Sequence, residues 1–321
     1  MTLPLKPPIE PQLARSRAAL PTGEEWVYEP KYDGFRAIAF VDGEECVIQS
    51  RSGKPLSRYF PELAFPPGRY VLDGEIVIDD VDDDGLQDFD ALQNRIHPAA
   101  SRIAMLSEQT PARYVAFDLL ARDDEALLER PFTERRATLE ELLADKRFAA
   151  SPVELMPTVE SVAEAERWLQ GAEGAIAKER DAPYRPGERK GMVKVKRVRT
   201  IDAVVVGWRP GKHEGTVGAL ILGLYDGDEL RVVGHCSGLT AAEKRRLVDF
   251  LKPYETGERG SGDPSRWSAG RELEWIGLRP ELVVEIDFDH VSAGRIRHGA
   301  KLRRWREDKP PRECTYDQLA S

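Results

Sequence analysis

Lys31 stands in the run Glu29-Pro30-Lys31-Tyr32-Asp33-Gly34-Phe35-Arg36, directly after Trp26-Val27-Tyr28, which reads as a short strand. An amine with a carboxylate two residues away and a guanidinium five residues away suits attack on phosphorus. A lysine attacks only when neutral, and cations close by favour that form. Asp-Gly is a common turn pair, so a strand end followed by a turn would read the same with no chemistry attached. What lifts the run above that account is the series that follows it. The chain continues with Ser50-Arg51-Ser52-Gly53, Leu72-Asp73-Gly74-Glu75-Ile76-Val77 and Phe117-Asp118-Leu119-Leu120. Then come Glu173-Gly174-Ala175-Ile176-Ala177-Lys178, Lys194-Val195-Lys196 and Arg304-Trp305-Arg306-Glu307-Asp308-Lys309.

Phosphoryl transfer is catalysed mostly by positioning and charge stabilisation, so a working site combines cations with metal-holding carboxylates. Glu75 and Glu173 each sit at a strand-and-turn signal and are the candidates to hold Mg²⁺, with Mn²⁺ as the alternative metal. A surface carboxylate is the plain account of either one alone. Lys194 and Lys196 are two apart on a strand and share a face, so both could meet phosphate. Arg36 and Arg51 suit bidentate contacts to ribose, phosphate or a nick. Phe117 suits stacking on an adenine face, although a core phenylalanine in a strand explains it equally well.

In this order and spacing the series resembles the motif set of covalent nucleotidyltransferases, most closely the ATP-dependent DNA ligases, over about residues 10–312. The compact form looks like the short bacterial repair ligases of the C and D classes. The resemblance implies an α+β fold: a nucleotidyltransferase (adenylation) domain followed by a β-barrel OB-fold domain. It implies ATP as cofactor and nicked duplex DNA as partner. Lys31 would take AMP from ATP and pass it to a DNA 5′-phosphate, and a 3′-hydroxyl would then displace it. The resemblance assigns Glu29 to reading the base and Lys178, Lys194 and Lys196 to phosphate. Arg306, Asp308 and Lys309 would come from the second domain to orient pyrophosphate, which implies closure and reopening. Little protein precedes Lys31 to encircle a nick, so weak nick affinity or dependence on DNA-repair proteins is expected. RNA ligases and GTP-dependent capping guanylyltransferases share the lysine motif and stay open as alternatives, as does a non-catalytic OB-fold nucleic-acid-binding protein.

A chain of 321 residues exceeds the usual single domain, and the boundary is expected between 1–199 and 200–321, with Arg197–Ile201 as a swivel linker. No apolar run approaches a membrane span and the N-terminus lacks a signal-peptide core, so a cytoplasmic monomer with no membrane partner is expected. Cys46, Cys236 and Cys314 form no CxxC pair and the five histidines are scattered, which excludes a sequence-legible disulfide framework or zinc site. The net charge of −9 hides two basic segments. Residues 178–212 hold eleven Lys or Arg against four acids, and 295–312 hold eight against two. Local basic segments in an acidic chain call for an anionic partner, polyphosphate or nucleic acid. The run Asp79, Asp80, Asp82, Asp83 and Asp84 lacks calcium-loop spacing and reads as a solvated loop.

These residues need elements to hold them. Residues 1–25 read as an extended lead-in. Ala37–Phe40, Cys46–Gln49, Tyr70–Ile78, Arg113–Leu120, Ala175–Lys178 and Met192–Lys196 read as strands. Thr133–Ala144 and Ser161–Leu169 read as helices. Further on, Ala203–Trp208, Ala219–Tyr225, Leu230–His235, Leu282–Phe288 and Leu302–Trp305 are expected strands. One helix is expected at Ala241–Leu251, capped by Thr240. Five strands and one helix there suit a small Greek-key barrel.

Overall fold

The computed structural model describes residues 2–80, 87–262, 273–292, 294–297 and 299–319. Asp82, Asp83 and Asp84 of the acidic run, and His298, lie outside the described residues. The chain divides into two compact units, Met1–Arg197 and Val198–Ser321. Among the described residues, no helix is long and apolar enough to cross a membrane.

Among the described residues, the first unit holds ten strands: β1 Arg15–Ser16, β2 Trp26–Pro30, β3 Phe35–Gly43, β4 Glu45–Ser50, β5 Gly68–Val77, β6 Arg113–Arg122, β7 Glu125–Ala126, β8 Val153–Leu155, β9 Gly174–Glu179 and β10 Met192–Lys196. Its helices are α1 Phe89–Asn94, α2 Ala100–Gln109, α3 Phe132–Leu143, α4 Val162–Ala165 and α5 Trp168–Gly171. One sheet has the order β1-β10-β9-β2 and the other β4-β3-β5-β6-β7, with β8 parallel to β6. The central strands of the larger sheet are buried on both faces, which is why residues 37–41 of β3 read as an unbroken apolar run. Ala37, Ala39 and Val41 enter one core cluster, while Ile38 and Phe40 enter another on the opposite face. Full burial of side chains such as Ile38 and Phe40 contributes about 1.5–3 kcal/mol each. On α3, Leu139 and Leu142 close the first of these clusters, as its spacing predicts.

Two expectations for this unit change. The N-terminal lead-in is part of the fold: Leu3 and Gln12 are buried, and β1 pairs in parallel with β10. The Ser161–Leu169 helix splits into α4 and α5, and Ser161 makes no side-chain cap. Of the two pieces, Ala165 is the single buried residue, too narrow an apolar stripe to hold one continuous helix.

The second unit contains β11 Arg199–Pro210, β12 Val217–Asp226, β13 Glu229–Gly238, α6 Ala241–Leu251, β14 Glu255–Gly262, β15 Leu273–Phe288, β16 Val291–Ser292, β17 Arg295–Ile296 and β18 Ala300–Trp305. The order β11-β12-β13-β18-β15-β14 is closed by a further β11–β15 pairing, so five of these strands form a ring. Arg199 to Ile201, expected in a swivel linker, are already paired in β11. The α6 helix carries the expected Thr240 cap, completed to a capping box by Glu243.

Candidate active site

A pocket in the first unit is lined from both of its sheets. Strand β2 brings Glu29 and Pro30, with Lys31 just past its end, while β9 and β10 bring Ile176, Lys178, Met192 and Lys194. Arg36, Glu75 and Phe117 come from β3, β5 and β6, and Arg51 follows β4. Eight residues singled out in the sequence, Glu29, Lys31, Arg36, Arg51, Glu75, Phe117, Lys178 and Lys194, therefore meet at one pocket. Glu173 and Lys196 join them through ion pairs. Leu13, Ala14 and Arg189 complete part of the wall; a proline-rich lead-in gave no signal that it would.

Two glycines make this assembly fit. Gly34 lies so close to β5 that a Cβ would sit 2.7 Å from the Glu75 Cγ and against the Ile76 carbonyl. Gly174 has φ of 154° and its missing Cβ would strike the Val195 carbonyl. The Lys31 N–H donates to the Gly174 carbonyl at 2.9 Å, which fixes the lysine beside Glu173.

The charges are arranged unequally. The Lys31 ammonium is ion-paired with Glu173 Oε2, and Lys196 Nζ lies 3.3 Å from Glu173 Oε1. Burial, then Lys31, Lys196 and Arg51, push the Lys194 amine below its ordinary value. Lys31, Lys196 and Arg51 thus crowd Lys194, with Glu173 the one paired carboxylate among them, an electrostatic excess suited to phosphate. Glu75 takes no ion pair or side-chain hydrogen bond among the described residues. Desolvation pushes its carboxyl up to about 7, although Lys31 and Arg36 pull the other way.

Buried contacts support these groups from behind. Lys178 Nζ lies 2.9 Å from Glu29 Oε2 and donates to the Phe117 carbonyl at 3.1 Å. Burial raises the Glu29 carboxyl against the opposing pull of Lys178. The Lys178 ammonium lies 4.6 Å and the Arg36 guanidinium 5.0 Å from the Phe117 ring centre. Arg36 is forked onto Asp73 at 3.0 and 2.6 Å. Asp73 in turn accepts from the Tyr184 hydroxyl at 2.6 Å, and that hydroxyl accepts from the Gln12 N–H at 3.0 Å. Burial works against the Arg36 guanidinium, yet Asp73 keeps it above its ordinary range. Beside Phe117, Asp118 is bidentate with buried Arg135 at 2.8 and 2.9 Å, tying β6 to α3. Tyr184 and Arg135 were not legible as site supports, because their partners lie far away along the chain.

The remaining candidates, Arg306, Asp308 and Lys309, belong to the second unit. Arg306 Nη1 donates to both oxygens of Asp202 at 2.9 Å, and Lys309 Nζ donates to Asp202 Oδ2 at 2.9 Å. Arg306 also forks onto Asp308 at 2.9 and 2.8 Å, which pulls the Asp308 carboxyl down to about 2.

An α+β unit with a lysine-lined pocket, followed by a unit built on a ring of strands, is the arrangement that the resemblance implies for a nucleotidyltransferase with a C-terminal domain. The family model described as "ATP dependent DNA ligase domain" matches residues 11–196, and that described as "ATP dependent DNA ligase C terminal region" matches 213–309. The chain belongs to the ATP-dependent DNA ligases. It is 44% identical to DNA ligase C1 of Mycolicibacterium smegmatis, over 99% of this chain and 96% of that protein. It is 42% identical to DNA ligase C of Mycobacterium tuberculosis, again over 99% of this chain and 96% of that protein. The solved ligase domain of M. tuberculosis LigD matches with a TM-score of 0.53 at 29% identity, covering 96% of this chain and 98% of that one. These matches settle the choice left open by the lysine motif: this is an ATP-dependent DNA ligase, not a capping enzyme, an RNA ligase or a binding module.

Proposed function

We propose that this ligase seals nicks between a 5′-phosphate and a 3′-hydroxyl in duplex DNA, carrying AMP on Lys31. The observation behind this is the pairing of Lys31 and Lys196 with Glu173, with Lys194 and Arg51 close enough to act on one another, beside a pocket whose wall includes Phe117. The Lys31 nitrogen forms a bond to the α-phosphorus of ATP as the bond to pyrophosphate breaks. The nitrogen reacts in its neutral form and the protons it sheds pass to solvent, while Glu173, the carboxylate paired with it, orients it. The DNA 5′-phosphate then displaces Lys31 from AMP, and the 3′-hydroxyl displaces AMP to form the phosphodiester. Phe117 stacks on adenine, Glu29 reads its edge, Arg36 and Arg51 hold ribose and phosphate, and Lys178, Lys194 and Lys196 offset phosphate charge. Arg306, Asp308 and Lys309 serve the departing pyrophosphate.

The donor set fits Mg²⁺, with Mn²⁺ as the alternative. Mg²⁺ needs one or two carboxylates with phosphate and water, and Glu75 is a desolvated carboxylate with no ion pair among the described residues. Glu173 becomes available once phosphate engages Lys31 and Lys196. A bound Mg²⁺ would supply charge neutralisation on the phosphates. The ring of the second unit is read as the expected OB-fold barrel. The protein is read as a cytoplasmic monomer in DNA repair; a further relative, 32% identical over 92% of this chain, is a multifunctional non-homologous end-joining protein.

The test is intact-protein mass after incubation with ATP and Mg²⁺, followed by peptide mapping. One AMP on Lys31, absent from Lys31→Arg because guanidinium stays protonated, is the expected result. Nick sealing by Lys31→Arg at the parental rate would overturn the proposal.

A further inference from the structure

Two neighbouring arginines on α3 meet carboxylates of the first unit in different ways. Arg135 is fully engaged: it forks onto Asp118, and its Nη1 donates to the Arg130 and Ala182 carbonyls. Arg136 is not. Its Nε donates to Glu140 Oε1 at 2.6 Å, an i,i+4 pair with a half-exposed acid. Its Nη1 is buried without a hydrogen bond and lies 3.8 Å from Glu29 Oε1. Among the described residues, the other buried side-chain nitrogens left so are Nε or indole atoms. Where those belong to ion-paired arginines, the partners are Asp42, Asp124, Glu62 and Glu160, none of which lines the nucleotide pocket as Glu29 does.

Glu29 on β2 thus faces cations from two other elements. Lys178 on β9 lies 3.0 Å from its Oε1 and 2.9 Å from its Oε2, and Arg136 approaches from α3. Lys178 is shared with the Phe117 carbonyl, whereas the Arg136 Nη1 has no hydrogen-bond acceptor of its own. Burial raises the Glu29 carboxyl, Lys178 and then Arg136 pull it back, and Asp118 on β6 opposes them. Adenine carries a donating amine at the position where guanine carries an accepting carbonyl. An ionised carboxylate only accepts, so it suits the amine and repels the carbonyl. A protonated one can donate and would suit guanine as well. The charge on Glu29 therefore decides the base, and a buried carboxylate keeps its charge when cations offset desolvation.

We propose that Arg136 is a positioning residue for base selection: it steers Glu29 toward the 6-amino group of adenine and so favours ATP over GTP. The inference rests on the reading above that Glu29 meets the base edge. Arg136 acts only through Glu29 and is not part of the pocket wall.

The experiment measures calorimetric binding of α,β-methylene-ATP and its guanosine counterpart, which cannot release pyrophosphate, across the acid-to-neutral range. The proteins are the full chain, Arg136→Gln, Arg136→Lys and Glu29→Gln. The ratio of the two affinities is the readout, because the phosphates and Glu75 titrate alike with either probe. In the parent, preference for the adenosine probe should fall as the pH drops through the Glu29 titration. Removing a cation raises the pH at which Glu29 takes a proton. Arg136→Gln should therefore move the fall up by about one pH unit, leaving a roughly tenfold smaller preference within that window. Arg136→Lys should restore part of it by keeping the charge, and Glu29→Gln should leave the preference level across pH. A preference in Arg136→Gln that follows the parental curve would overturn the proposal while leaving Glu29 as the base reader. So would equal losses for both probes at every pH with a lowered melting temperature, the mark of a structural role. A parent with no preference between the probes would overturn the base-reading role of Glu29, and that of Arg136 with it.

Discussion

Glu75 and Glu173 are the same residue type beside the same pocket, and the fold gives them opposite surroundings. Glu173 is taken up by Lys31 and Lys196, whereas Glu75 is left to desolvation, which lifts its carboxyl to about 7. A carboxyl raised in the folded state holds its proton more tightly there than in the unfolded chain. Its favourable contribution is complete below about 4.5 and is lost as the pH rises through about 7. With divalent metal chelated, the urea midpoint should therefore fall across that window, and Glu75→Gln should remove this part of the slope. Parallel pH profiles for parent and variant would show that Glu75 is not the group responsible. At this scale the motifs were legible because each is a short local string around one chemical task. Their supports were not. Tyr184 meets Asp73 and Asp202 meets Arg306 across long stretches of chain, and nothing in a local pattern marks a hydroxyl or a carboxylate as someone's partner.

The strands that hold the site were legible for a different reason: each is a run of apolar residues bounded by turns, as in β3, β5, β6 and β12. Elements without that contrast escaped. Helix α2 buries Ile103 alone, and β14 reads Glu-Thr-Gly-Glu-Arg-Gly-Ser-Gly, with no apolar alternation for a sequence to display. Pairing with β15 along its length is what makes β14 a strand. Helix α6 is the opposite case, since its start is written locally. Thr240 Oγ1 accepts from the Glu243 N–H at 3.2 Å, and Glu243 returns the contact to the Thr240 N–H at 2.6 Å. The cap fixes the turn from which Leu247 and Leu251 enter the core. Thr240→Ala should cost about 0.5–2 kcal/mol of stability, read from denaturant unfolding, while Thr240→Ser should cost little. An alanine variant as stable as the parent would mean that core packing alone positions the helix.

For the whole molecule, the division of labour follows from where the charges are stored. The first unit gathers its cations at the pocket, but the second unit keeps Arg306 and Lys309 clamped to Asp202, four residues beyond the Arg197–Val198 boundary. Under the proposed mechanism, Arg306 and Lys309 are needed while pyrophosphate departs and are idle afterwards. Asp202 aims both cations with charge-assisted bonds, each stronger than a neutral one. Asp202→Asn preserves shape and removes the charge, so it should loosen both groups at once. Losing about 1.5 kcal/mol of that positioning corresponds to roughly tenfold slower lysyl-AMP formation. Sealing of a nick that already carries AMP does not use a pyrophosphate contact, and its rate should stay near parental. Following the two steps separately in one variant distinguishes positioning from damage: a general loss of folding would depress both. Equal slowing of both steps, or no change in the first, would remove Asp202 and the two cations it holds from the pyrophosphate step.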